Sequence, residues 1–178
     1  VPGIVNNFLW MVIKIENKPI SSSYIRALIK EGKLKSAQKL LSHPVSILGT
    51  VIRGTSLAKK LGFPTANIDP HHEVIPPSGV YAVKVLLNNA EVSAKLNGIC
   101  NIGTKPTFKQ GDERHIEAYI FNFNQNIYGK YLELQFIKKI RDEKKFASPE
   151  ELAGQIKKDI GIARRIFSRH HTTTISAY

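Results

Sequence analysis

Hydrophobic and polar positions along the chain change rhythm three times, and each change marks a different kind of structure. Up to about Pro44 a short apolar run, "FLWMVIKI" (8–15), reads by its length as a buried strand, and two short helical patterns follow. Ser22 or Ser23 is placed to cap the first helix, with Ile25, Leu28 and Ile29 inward and Gly32 ending it. Leu34, Ala37, Leu40 and Leu41 line the second, which Pro44 stops. From Val45 to about Lys139 the period becomes two, punctuated by glycine, proline and asparagine. Strands are expected over 45–53, 79–87, 92–101, 115–123 and 131–138, with a hairpin turn at Asn88–Asn89. Strands at this spacing without intervening helices predict a closed antiparallel β-barrel. The last pattern is helical. Ser148, Pro149 and Glu151 supply a cap, an N1 proline and a capping-box acid. Leu152, Ile156, Ile160, Ala163 and Phe167 then make one apolar stripe that must dock on the barrel. The tail 168–178 has no core pattern and is expected to be mobile. The fold class is therefore mainly β with flanking helices, namely a barrel, a C-terminal helix and a short N-terminal helical appendage.

Composition narrows the function. Hydrophobic residues make up 42% of 178, enough for a packed core. No apolar run approaches the roughly 20 residues of a membrane helix, so no membrane association is expected. Cys100 is the single cysteine, which excludes an internal disulfide and fits a reducing cytoplasm. The chain starts at Val1 rather than Met, so it reads as a trimmed or excerpted sequence with room for an upstream segment. The net charge of +12 calls for an anionic partner or a solvated basic surface. It is concentrated in 30–39, 138–145 and 157–169, without an arginine-rich tract or aromatic–basic alternation, and nucleic acid is not the expected partner.

Chemistry concentrates in two places. In "GFPTANI" (62–68), Thr65 and Asn67 are two apart, so an extended backbone sends both to one face. A hydroxyl and an amide carbonyl side by side are neutral oxygen ligands of the kind Mg²⁺ accepts, although the same residues would also suit an ordinary turn. Glu117 interrupts an apolar run and shares its alternate-residue face with Tyr119, Phe121 and Phe123. It is either a carboxylate at the wet end of a strand or one held there as a general base. None of the six histidines has a convincing ligand constellation.

The segments "GTVIRG" (49–54), "LGFPTANI" (61–68), "GVYAVKV" (79–85), "NIGTKPTF" (101–108), "EAYIFNF" (117–123), "YGK" (128–130) and "IRDEKKFASPEEL" (140–152) occur in one familiar order. With them, Val45 to Phe167 resembles a riboflavin kinase domain, and residues 1–44 resemble the tail of an FMN adenylyltransferase module. Together they are similar to the C-terminal part of the bacterial bifunctional riboflavin kinase/FAD synthetase. The resemblance implies transfer of the ATP γ-phosphate to riboflavin, yielding FMN and ADP. Glu117 would be the base, and Thr65 and Asn67 the Mg²⁺ ligands. Gly54 and Lys59 would lie at the ATP phosphates, with nucleotide contacts at Ile120, Asn122 and Tyr128. Flavin contacts would fall at Arg141, Lys144 and Phe146, although Phe146 also reads as a staple for the helix that follows. The chain departs from the family at Ala58–Lys59, where glycine–arginine is usual, and lysine offers a point charge in place of a bidentate fork. "NIGTKPTF" is expected to loop over the site. "ISSSYIR" (20–26) resembles a late nucleotidyltransferase motif, but the early histidine motif is absent, so no adenylyl transfer is expected of these residues alone. A non-catalytic flavin- or nucleotide-binding barrel and a basic nucleic-acid-binding barrel are the competing readings.

Overall fold

The structure, a computed structural model, describes residues 14–15, 18–54, 57–88, 93–105 and 113–172. In chain order the elements are β1 (Lys14–Ile15), β2 (Lys18–Pro19), α1 (Ser22–Lys30), α2 (Leu34–Leu41), β3 (Ser46–Ile52), α3 (Leu57–Lys60), β4 (Thr65–Asp69), β5 (Gly79–Asn88), β6 (Ser93–Lys105), β7 (Glu113–Ile120), β8 (Tyr131–Arg141) and α4 (Pro149–Thr172). Strands β3 to β8 close into an antiparallel barrel in the order β3-β4-β7-β6-β5-β8. Of the run 8–15, only Lys14–Ile15 falls within the described residues, paired with β2.

Period-two alternation sends Ile47 and Val51, Tyr81, Val83, Val85 and Leu87, Ile116, Ala118 and Ile120, and Leu132, Leu134 and Phe136 into the barrel. Leu28, Ile29 and Ala37 from α1 and α2 join the same core. The opposite face of the wall carries Val80, Ala82 and Ile99, and α4 packs there through Ile156, Ile160, Ala163 and Phe167. The stripe read from sequence is thus the docking face. Ser148 Oγ accepts from Glu151 N–H at 3.2 Å, and the Glu151 carboxylate accepts in return from Ala147 N–H at 3.0 Å.

Several expectations change. The N-cap of α1 is Ser21, whose Oγ accepts from Tyr24 N–H at 3.1 Å, rather than Ser22 or Ser23. Asn88 pairs with Ser93, so it belongs to β5 and the connection falls at 89–92, outside the described residues. Residues 101–105 of "NIGTKPTF" extend β6 rather than looping, because they pair with 113–117 of β7; 106–108 lie outside the described residues. β7 stops at Ile120, three residues early. Asn122 takes a left-handed conformation (φ 54°), which turns the chain. Phe121 consequently stays with Tyr119 on the α4 side, whereas Phe123 packs against the barrel core. Residues 168–172, expected to belong to a tail, continue α4 past its last apolar anchor, and 173–178 lie outside the described residues.

The sixth barrel strand is the motif itself. β4 was not among the expected strands. It pairs with β3 on one side and β7 on the other, which makes the extended geometry assumed for Thr65 and Asn67 real.

Candidate active site

Antiparallel register decides which side chains meet. Thr65 lies opposite Tyr119, Asn67 opposite Glu117, and Glu117 opposite Asn101 on the next strand. Directly opposed residues share a face, so Asn67, Glu117 and Asn101 form a polar row across β4, β7 and β6. That row lies on the outer wall that α4 also covers.

A cleft opens over it, lined among others by Thr65, Asn101, Glu117, Arg141, Lys144 and Phe146. A second cleft is lined by residues including Thr65, Ile120, Asn126 and Tyr128. Thr65 lines both. Strand and loop therefore bring most of the sequence-derived residues to two adjoining cavities divided at β4. Gly54, Asn67 and Asn122 line neither, and the side chain of Lys59 lies outside the described residues. Ala58, at the departure from the family pattern, lines the first cleft.

Asn67 is only 4% exposed, and its Oδ1 has no hydrogen-bond partner. A buried acceptor left unmade costs on the order of 1–3 kcal/mol, so this oxygen retains the capacity to accept a hydrogen bond or to ligate a cation. Gly54 abuts it: a methyl group on Gly54 would fall inside the Asn67 carboxamide. Glycine here allows the backbone to close over Asn67.

On the other side of the first cleft, Arg141 is engaged internally. Its Nε and Nη2 donate to Asp159 Oδ2, both at 3.0 Å, and Nη1 donates to Asp142 O at 2.9 Å. Gln155 Nε2 also donates to Asp159, at 2.9 Å. The guanidinium and the Lys144 ammonium stand 5.6 and 5.4 Å from the centre of the Phe146 ring. Lys144 pairs with Glu151 at 3.0 Å, and the Ala147 N–H and Lys144 together hold the Glu151 carboxyl below the usual carboxylate range. Arg141 thus frames the ring, with each of its three guanidinium nitrogens making a bond to protein. Sequence reading missed Asp159, His115, Asn101 and Glu143. Asp159 had a signal, a lone acid on the apolar side of α4. The others had none beyond strand alternation.

The riboflavin kinase ("Flavokinase") family model matches residues 41–167. The chain belongs to the riboflavin kinase family. A bifunctional riboflavin kinase/FMN adenylyltransferase of Bacillus subtilis is 45% identical over 157 residues, covering 86% of this chain and 48% of that protein. The chain spans about half the length of the curated relatives it matches. A solved structure described as a macrolide-efflux protein from Streptococcus pneumoniae is 35% identical, with a TM-score of 0.74, over 85% of this chain and 49% of that one. A riboflavin kinase from Trypanosoma brucei, 23% identical with a TM-score of 0.50 over 75% of this chain and 90% of that one, shares the fold.

For a riboflavin kinase family member the donor set at β4 fits a hard cation. Two neutral oxygens, one of them buried and unpartnered, leave most of an octahedron to water and phosphate. Among the described residues no group of three or more His, Cys, Asp or Glu could hold a metal. No described helix is long and apolar enough to cross a membrane.

Proposed function

We propose that the chain transfers the γ-phosphate of ATP to the 5′-hydroxyl of riboflavin, forming FMN and ADP. The observation that carries this reading is the shared wall. Two clefts meet at Thr65, as transfer between two substrates requires, and Glu117 faces one of them from the strand beside it. ATP occupies the cleft of Ile120 and Tyr128, with its phosphates directed to Gly54, Thr65 and Asn67. Riboflavin lies in the other, its planar ring against Phe146. Glu117 accepts the 5′-hydroxyl proton while that oxygen bonds to the γ-phosphorus and the bond to the ADP oxygen breaks. Thr65 and Asn67 would hold Mg²⁺, which when bound neutralises charge building on the phosphate oxygens.

Residues 1–44 are proposed as the end of an adenylyltransferase module of a longer protein, which would convert the FMN to FAD; the family match beginning at residue 41 supports that division. A buried lone Cys100 supports a cytoplasmic setting, and the basic surface is assigned to solvated charge rather than nucleic acid.

Incubating the chain with riboflavin, ATP and Mg²⁺ and separating the products should yield FMN. Glu117→Gln should keep both substrates bound and lose about 10²–10⁴ in turnover. Flavin binding without turnover under any divalent metal would discard the kinase in favour of a binding barrel.

A further inference from the structure

His115 and Glu117 are two residues apart on β7 and leave the same face of the strand. His115 Nε2 lies 2.7 Å from Glu117 Oε1, and the two side chains are 26% and 22% exposed. A carboxylate only accepts, so the imidazole donates, which fixes the Nε2–H tautomer of a neutral ring. Among the described residues this is the hydrogen bond that the Glu117 side chain makes.

The surroundings separate the two side chains. Glu117 lines the flavin-side cleft, whereas His115 does not. Opposite His115 on β6 stands Gly103, and a methyl group there would come within 2.8 Å of Glu143 Oε1. The missing side chain leaves that space to a carboxylate from the 141–146 segment. His115 therefore reaches Glu117 from behind, along the strand, and does not reach the cleft.

We propose that His115 is a positioning residue for the proton acceptor. By holding Oε1 it fixes the carboxyl torsions and leaves Oε2 aimed into the cleft, toward the hydroxyl that must lose its proton. A glutamate has three side-chain torsions, and an untethered one would spread its oxygen over several rotamers. Displacing a reacting group by about 1 Å costs up to ~10² in rate. This assignment rests on the kinase reading above.

The test compares His115→Ala, His115→Gln and Glu117→Gln in the full chain, by steady-state FMN formation with thermal unfolding as a control on folding. His115→Ala should lower kcat roughly tenfold to a hundredfold, with KM for riboflavin and ATP within about twofold of the parent. His115→Gln retains an amide donor and should recover most of kcat. Adding His115→Ala to Glu117→Gln should lower the rate no further, because the bond it removes serves only the carboxylate. An unchanged kcat in His115→Ala, a loss confined to KM, no rescue by glutamine, or additive losses in the double variant would each overturn the assignment while leaving the kinase reading standing. A parent chain that formed no FMN would overturn both.

Discussion

Asn67 and Glu117 stand directly opposite each other in the β4–β7 ladder, one buried with its Oδ1 unpartnered, the other facing a cleft. Backbone register alone places a neutral oxygen ligand beside a carboxylate, and it does so on rigid strands rather than on loops. In the proposed reaction this arrangement would hold a metal-binding oxygen and a proton acceptor at a fixed separation. Its cost in the unliganded protein is the orphaned acceptor.

That cost makes a stability experiment informative. Asn67→Leu replaces the carboxamide by a group of similar shape without polar atoms, removing a buried unsatisfied oxygen. The ligand-free chain should be as stable as the parent or more so by about 1 kcal/mol. FMN formation should be lost, and so should the rise in Tm that Mg²⁺ and ATP give the parent. Urea unfolding, with and without Mg²⁺ and ATP, measures both effects. A variant that lost stability and kept its ligand response would show that Asn67 is a packing residue.

Gly54→Ala tests the same oxygen from the other side. The added methyl would overlap the Asn67 carboxamide, and Asn67 is too short and too buried to swing clear. Overpacking of this kind costs roughly 1–3 kcal/mol. Tm should fall by several degrees, and the Mg²⁺ concentration giving half-maximal activity should rise well beyond what the stability loss explains. An unshifted metal titration would separate Gly54 from the site.

The barrel and its helix were legible in sequence because burial there follows a simple period. β3 alternates without exception, and the α4 stripe recurs at helical spacing. β4 was hidden for a physical reason. Its five residues do alternate polar and apolar, but they are few and follow the turn signal Gly62–Phe63–Pro64. Asn67, on the polar phase, is buried together with Ile68, so burial departs from the pattern there. The motif could be read as chemistry, but not as a strand. His115 and Asp159 were illegible for another reason, since each acts through a partner. The Glu117 bond depends on rotamers, and the Arg141–Asp159 pair joins a strand to a helix eighteen residues away.

Tyr81 should mark the alkaline limit of the fold. Its hydroxyl donates to Pro77 O at 2.6 Å, and its ring meets Phe136 edge-on inside the barrel. Burial first, then the charges of Cys100 and Asp142, pushes its phenol up from 10.0 to about 12. A folded-state value above the unfolded one means stability is complete below pH 10 and drains as pH rises through 12. Burial also raises the Cys100 thiol, which adds to the same alkaline loss. Tyr81→Phe should cost about 1 kcal/mol at pH 7 through the lost bond. It should also flatten the decline in stability above pH 10, leaving the share due to Cys100. Denaturant midpoints measured from pH 7 to 12 would check this, and parallel curves for the two proteins would refute it.

The Arg141–Asp159 pair can be tested as a device for placing the flavin-side segment rather than for holding the protein together. Asp159 is 1% exposed, and the pair it makes is desolvated on one side. Removing one partner of such a pair costs about 3 kcal/mol or more, because the other charge is left without compensation. Asp159→Leu should therefore lower Tm by roughly 10 °C. Replacing both, with Asp159→Leu and Arg141→Met, should restore most of that stability, since an apolar pair of similar volume packs as well as an ion pair. What it should not restore is geometry. Arg141 also donates to Asp142 O and stands over Phe146, so the double variant loses what directs the segment into the cleft. A raised KM for riboflavin in a refolded, stable double variant, with KM for ATP little changed, would assign the pair to substrate placement. Normal riboflavin KM in that protein would assign it to stability alone.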